Sequence, residues 1–102
     1  MGLAEGPTPM TQKQWPATID EAVGVVIATL PDDDKASIAS LSEPALIGLH
    51  FGLGTWIRNN LGLHSGNGRL LESTGTRNAD DASLVIIEAL WRRLREDVPK
   101  VH

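Results

Sequence analysis

Apolar residues recur with helical spacing from residue 18 onward, directly behind a sequence that suits a helix start. The segment "TIDE" (residues 18–21) fits a capping box, in which the Thr18 hydroxyl bonds the Glu21 N–H and the Glu21 carboxylate bonds the Thr18 N–H. The apolar stripe behind it consists of Ile19, Ala22, Val23, Val26, Ile27 and Leu30. Because Pro31 follows this stripe, the pattern predicts a first helix that ends there.

Two further helices are predicted in the middle of the chain. One is short and begins near Asp32, where three successive aspartates suit the positive end of the helix dipole. The other is longer: Ser42 is its expected cap, Pro44 lies in its first turn, and Gly62 marks its expected end. The pattern therefore predicts one continuous helix over residues 43–61.

The connection over residues 63–79 contains the turn sequences "SGNG" and "STGTRN" around a single predicted helical turn at residues 69–72. Asp80 is expected to cap the last helix, which runs to about Asp97. Apolar residues cover this helix on nearly every side, which is typical of a central helix that contacts several neighbours.

No run with the period of a β-strand is present. The sequence therefore predicts an all-α fold: a compact single domain of four main helices, with a Gly/Asn-rich connection before a central C-terminal helix. The expected boundaries are a flexible N-terminal leader at residues 1–14, the helical domain at residues 15–98, and a C-terminal tail at residues 99–102.

Charge and composition narrow the classes of partner. The net charge of −4 argues against a nucleic-acid partner, because affinity for nucleic acid rests on Lys and Arg. No apolar run approaches the roughly 20 residues of a membrane span, and the N-terminus lacks the apolar core of a secretion signal. The absence of cysteine excludes disulfides and fits a reducing compartment. We therefore expect a cytoplasmic protein that binds neither nucleic acid nor membrane.

A polar cluster is predicted around Arg58, which lies at the margin of an apolar helix face. A partly buried guanidinium is costly unless a carboxylate and further acceptors satisfy its donors. Asp80 and Asp81 are the carboxylates that open the last helix. We predict an Arg58–Asp81 pair, with Asn59 and Asn67 completing the polar shell.

The run "LHFGLGTWIRNNLGLHSGN" also contains a histidine and a row of small residues. His50 shares one face of the predicted helix with the apolar residues Leu46, Leu53, Ile57 and Leu61. It is either a core histidine bonded to a carbonyl or carboxylate, which we favour, or a proton-transfer group. Gly48, Gly52 and Thr55 form a smooth groove on the opposite face. Because a glycine inside a helix costs about 1 kcal/mol, we predict that this groove receives another backbone. We favour a backbone of the same domain over a backbone of a partner.

The sequence contains no clear motif for a cofactor, a metal or a catalytic group. "GLGTWI" lacks the third glycine of a dinucleotide fingerprint and follows no strand. The three histidines are not spaced as zinc ligands on a helix, and "DDD" lacks the spacing of a calcium loop. Ser83 lies in a first helical turn, where serine usually serves as a cap. We therefore predict no cofactor, no metal and no catalytic residue.

The motifs "LHFGLGTWIRNNLGL", "SGN", "LLES" and "DDASLVIIEALW" resemble a family of small bacterial proteins known as a domain of unknown function. The resemblance covers most of the chain from Trp15 to Leu94. It implies no activity. The residues that it assigns to the family pattern are His50, Arg58, Asn59, Gly62, Asn67, Asp81, Ser83 and Trp91.

Three functions remain open from the sequence. The favoured one is a small non-enzymatic interaction module that binds a protein partner, such as an immunity, antitoxin-like or regulatory protein. The alternative is a small ligand-binding or enzymatic domain that uses His50, Arg58 and Asp81. The third, a helix-turn-helix regulator, is disfavoured by the net charge. The oligomeric state is left open.

Overall fold

Five α-helices and one 3₁₀ helix make up the part of the chain that the structure, a computed structural model, describes: residues 15–97. They are α1 (Ile19–Thr29), α2 (Asp32–Ala39), the 3₁₀ helix (Glu43–Leu49), α3 (Leu53–Asn60), α4 (Gly68–Thr74) and α5 (Ala79–Asp97). No strand occurs within residues 15–97, so the all-α prediction is confirmed, although the helices number six rather than four. The predicted leader at residues 1–14 and tail at residues 99–102 lie outside the described residues.

The start of α1 follows the predicted capping box with one change. Oγ1 of Thr18 accepts a hydrogen bond of 3.1 Å from the Glu21 N–H, as expected. The Glu21 carboxylate, however, accepts from the N–H of Ala17 at 2.8 Å rather than from that of Thr18. Pro31 separates α1 from α2, which begins at Asp32 as predicted.

Helix α5 is the centre of the domain and contacts α1, α2, α3, α4 and the 3₁₀ helix. This position agrees with its apolar circumference, because each side meets a different neighbour. Its fully or almost fully buried apolar residues are Ala82, Ile86, Ile87, Leu90 and Leu94.

The cap of α5 is Asn78 rather than Asp80. Oδ1 of Asn78 accepts a hydrogen bond of 2.8 Å from the N–H of Asp81 three residues later, which is the geometry of an N-cap. The helix therefore begins at Ala79, and Asp80 becomes a residue of its first turn.

The long helix predicted over residues 43–61 is broken in two. A 3₁₀ helix ends at Leu49, and α3 begins at Leu53 after Gly52, whose φ of −95° and ψ of −82° lie outside the helical range. Glycine weakens a helix, and Gly48 lies near the end of the 3₁₀ helix while Gly52 lies directly before α3. A 3₁₀ helix is also rarely sustained over many residues. Gly62 is confirmed as the end, with a φ of +78° directly after the C-cap of α3.

Within residues 15–97, no helix has the length and apolar character that crossing a membrane requires.

Candidate functional site

Arg58 is buried between α3 and α5, and Asp80 is its carboxylate partner. The Arg58 residue is 8% exposed, and its Nε lies 3.4 Å from Oδ1 of Asp80. The predicted pair with Asp81 is wrong, because the Asp81 carboxylate accepts a hydrogen bond of 3.1 Å from the Asn78 amide. Successive helix residues point about 100° apart, so only one of the two aspartates faces α3.

The remaining guanidinium nitrogens of Arg58 bind hydroxyl groups. Nη2 donates to Oγ1 of Thr55 at 2.9 Å, and Nη1 donates to Oγ of Ser83 at 3.1 Å. Each hydroxyl then donates at 2.8 Å to a backbone carbonyl, Thr55 to that of Phe51 and Ser83 to that of Asp80. We call Arg58, Thr55, Ser83 and Asp80 the Arg58 cluster. It joins α3 to α5 and to the segment before α3.

His50 lies at the edge of the Arg58 cluster and is half-buried. Its Nδ1 is 3.5 Å from Nη1 of Arg58, and its ring meets the Phe51 ring edge-on at a centroid distance of 5.2 Å. A neutral imidazole can accept from the guanidinium in this position. The expected bond to a carbonyl or carboxylate does not occur among the hydrogen bonds of residues 15–97, so His50 borders a cation rather than an anion.

The two asparagines predicted to complete the cluster lie elsewhere. Asn59 is exposed on α3. Asn67 is buried, and its Nδ2 donates to the carbonyls of Leu61 at 2.7 Å and Pro16 at 2.9 Å. Its Oδ1 accepts from the N–H of Leu70 at 3.3 Å, which makes Asn67 the cap of α4. Asn67 therefore secures the connection between α3 and α4. Helix α4 (Gly68–Thr74) occurs where a single helical turn was predicted at residues 69–72, and it is longer than that turn.

A catalytic assembly of His50, Arg58 and Asp81 is not formed. His50 and Arg58 are neighbours, but Asp81 is bonded to Asn78 outside the cluster. Across residues 15–97, His, Asp and Glu side chains nowhere gather in a group of three that could hold a metal ion. Each of the three guanidinium nitrogens of Arg58 contacts a neighbouring side chain, which is the arrangement of a structural cross-link.

An open apolar cleft of about 470 Å³ lies between α1, α2 and the start of α3. Asp34 is the one charged residue among its lining residues, and the polar remainder is Thr29 and Ser37. The other lining residues are Val26, Leu30, Pro31, Ile38, Leu49, Gly52, Leu53 and Trp56. We call this feature the α1–α2–α3 cleft.

The glycine face borders this cleft and is open. Among residues 15–97, a Cβ atom added at Gly48 or at Gly52 would meet nothing within 4 Å, so the expected close packing against another backbone does not occur in this part of the domain. Gly52 lines the cleft, whereas Thr55 belongs to the Arg58 cluster. Phe51, next to Gly52 in the chain, is 84% exposed, which is unusual for so large an apolar side chain.

No local pattern in the sequence predicted the cleft. Leu53 and Trp56 fit an apolar helix face, and only the structure shows that both are half-buried and line the cleft. Another group packs closely against a glycine at Gly54 instead, where an added Cβ would lie 3.1 Å from Nη1 of Arg58.

Comparison with known proteins places the chain in a family. The model of a family described as a domain of unknown function (DUF6794) matches residues 15–94, and the chain belongs to this family. The match includes both the Arg58 cluster and the α1–α2–α3 cleft. Neither the curated proteins nor the solved structures contain a significant match to the chain.

Proposed function

We propose that this domain is a non-enzymatic protein-binding module whose partner docks in the α1–α2–α3 cleft. The observation that carries the proposal is the cleft itself, which is open, mainly apolar and about 470 Å³ in volume. A contiguous apolar surface on a small domain commonly marks an interaction site. Immunity and antitoxin-like proteins, which bind a partner and block it, are examples of this class.

Two adjacent residues, Gly52 in the lining of the cleft and Phe51 beside it in the chain, support a protein partner. Phe51 is exposed, and aromatic residues, including phenylalanine, are enriched at protein–protein interfaces. Gly52 has no side chain, so the main chain of a partner can approach this edge closely. Both lie in the short segment between the 3₁₀ helix and α3.

The alternative of an enzymatic or ligand-binding domain finds less support. None of His50, Arg58 and Asp81 lines the cleft. A small-molecule site of comparable size usually has several convergent polar groups that orient the ligand. Here Thr29 already donates its hydroxyl to the carbonyl of Val25, which leaves few polar groups for recognition.

The experiment fills the cleft without disturbing the fold. Gly52→Leu puts a side chain into the cleft, and Gly24→Leu makes the same change at an exposed α1 glycine that also has open space but does not line the cleft. Phe51→Ser removes the exposed aromatic ring. Each variant and the wild type serve as bait in a lysate of the source organism, with circular dichroism as the check of folding.

The expected result is one protein captured by the wild type and by Gly24→Leu and lost with Gly52→Leu and Phe51→Ser. Equal capture by all four baits, or none by the wild type, would contradict the proposal. A small molecule that stays bound to the wild type in native mass spectrometry and is lost in Gly52→Leu would favour the ligand-binding alternative.

A further inference from the structure

From the chemistry of the cleft we infer the class of partner segment, an inference that rests on the proposed docking function. The occupant is an amphipathic helix of a protein partner, with apolar side chains directed into the α1–α2–α3 cleft and Lys or Arg residues beside them. The inference has two parts, the helical form of the segment and its positive charge.

The helical form follows from the walls of the cleft. These walls belong to α1, α2 and α3 and to the short segments that join them, whose backbone groups are mainly engaged in helical hydrogen bonds. No strand edge is present within residues 15–97, so a partner cannot dock there by extending a sheet. Affinity must come from side chains, and an amphipathic helix presents apolar side chains in the row that a groove between helices accepts.

The positive charge follows from the carboxylates of α2. Asp34 lines the cleft, and Asp33 lies one helical turn before Ser37, which also lines it. Both aspartates are exposed, and neither forms an ion pair with another residue of the described part of the chain. Lys35 pairs with Asp32 at 3.5 Å instead.

The helix dipole does not cancel this charge. The N-terminus of α2 carries roughly half a positive charge, whereas Asp33 and Asp34 together carry two negative charges. No Lys or Arg lines the cleft, and the whole chain has a net charge of −4. A basic segment is therefore attracted to this rim, and an acidic segment is repelled by it.

The test uses three fluorescently labelled peptides of equal length. The first is a Leu/Lys peptide with leucines at the i, i+3, i+4 and i+7 positions of one face, the second replaces every lysine by glutamate, and the third scrambles the first. Fluorescence anisotropy at near-physiological salt measures their affinity for the wild type. We expect the Leu/Lys peptide to bind about tenfold more tightly than either of the others.

A matched pair of substitutions at Ser37 changes the rim charge alone. Ser37 is exposed on α2, and Glu and Lys are similarly good helix formers there. Ser37→Glu should tighten binding of the Leu/Lys peptide and Ser37→Lys should weaken it, each by about threefold. Asp34→Asn should weaken it likewise, whereas Gly52→Leu should abolish it and Gly24→Leu should leave it unchanged.

The failures of the two proposals are distinguishable. If the lysine and glutamate peptides bind equally and both are lost in Gly52→Leu, the inferred charge is wrong and the docking function stands. If no peptide binds while capture from lysate still depends on Gly52, the helical form is wrong and the docking function again stands. Binding of the Leu/Lys peptide that is unchanged in Gly52→Leu and both Ser37 variants overturns the inference, because the peptide then binds elsewhere.

Discussion

Alanine at Gly54 tests whether the guanidinium of Arg58 is held in a fixed position. A Cβ at residue 54 would lie 3.1 Å from Nη1 of Arg58, which is closer than an ordinary van der Waals contact. Its next neighbours, the carbonyl oxygen of Leu49 and Oγ of Ser83, would both be at 3.5 Å. The backbone can therefore accept alanine, and only the guanidinium has to move.

Two opposing effects decide the sign of this substitution. Alanine stabilises a helix by about 0.5 to 1 kcal/mol relative to glycine, and the lower value applies because Gly54 is the second residue of α3. Displacing the guanidinium weakens its bonds to Thr55 and Ser83, and a bond to a charged group contributes about 1.5 to 3 kcal/mol. We expect a partial loss of both bonds and a net destabilisation of about 1 kcal/mol.

The same substitution should change sign once the guanidinium is gone. Arg58→Met leaves an apolar side chain at this position and removes the two hydrogen bonds to hydroxyl groups. We expect it to lower the free energy of unfolding by about 2 kcal/mol. The cost stays below that of breaking a buried ion pair because the Asp80 side chain is 66% exposed and remains hydrated. In this background, Gly54→Ala should stabilise the domain by about 0.5 kcal/mol.

Urea unfolding of the four proteins, followed by circular dichroism, measures this double-mutant cycle. The reasoning requires an interaction free energy of about 1.5 kcal/mol between residues 54 and 58. Effects that add within about 0.5 kcal/mol would refute it, since the guanidinium would then move aside freely and the Arg58 cluster would not be rigid.

Three further predictions concern other parts of the domain. Gly62→Ala should lower the free energy of unfolding by about 2 to 4 kcal/mol in urea melts, because φ is +78° and a Cβ would overlap the Trp15 indole. Gly24→Ala should raise it by about 0.5 to 1 kcal/mol, because this exposed α1 position has open space. A hydrogen bond from Arg92 lowers the pKa of Glu88. The stability from this contact is therefore present above the usual pKa of glutamate and lost as the pH falls through the lowered pKa, so Glu88→Gln should slightly flatten the acid side of the stability profile in thermal melts.

Local signals made much of the fold predictable. The Thr18 cap, the stop at Pro31 and the left-handed glycine at Gly62 depend on residues within one or two turns, and each occurs as expected. The central position of α5 was equally readable, because a helix that is apolar on nearly every side needs neighbours on nearly every side.

The partner of Arg58 was not predictable in the same way. The choice between Asp80 and Asp81 depends on the rotation of α5 relative to α3, and adjacent residues differ by about 100° in direction. The Asn78 side chain accepts a hydrogen bond from the backbone N–H of Asp81 and donates one to the Asp81 carboxylate. Asp81 is thereby held at the cap, and Asp80 faces Arg58. The cleft was missed for a related reason, because it arises from the arrangement of three helices and from no single one.

The break between the 3₁₀ helix and α3 explains why one short sequence serves two different purposes. A continuous helix would have aligned Gly48, Gly52 and Thr55 on one face. With the break, Thr55 instead receives a hydrogen bond from Arg58 and donates one to the carbonyl of Phe51. The hydrogen bond from Thr55 to Phe51 links the buried cluster to the segment before α3. In this segment Phe51 is exposed, and the space beside Gly52 is open. The Arg58 cluster thus holds in place one edge of the apolar surface that we propose for docking.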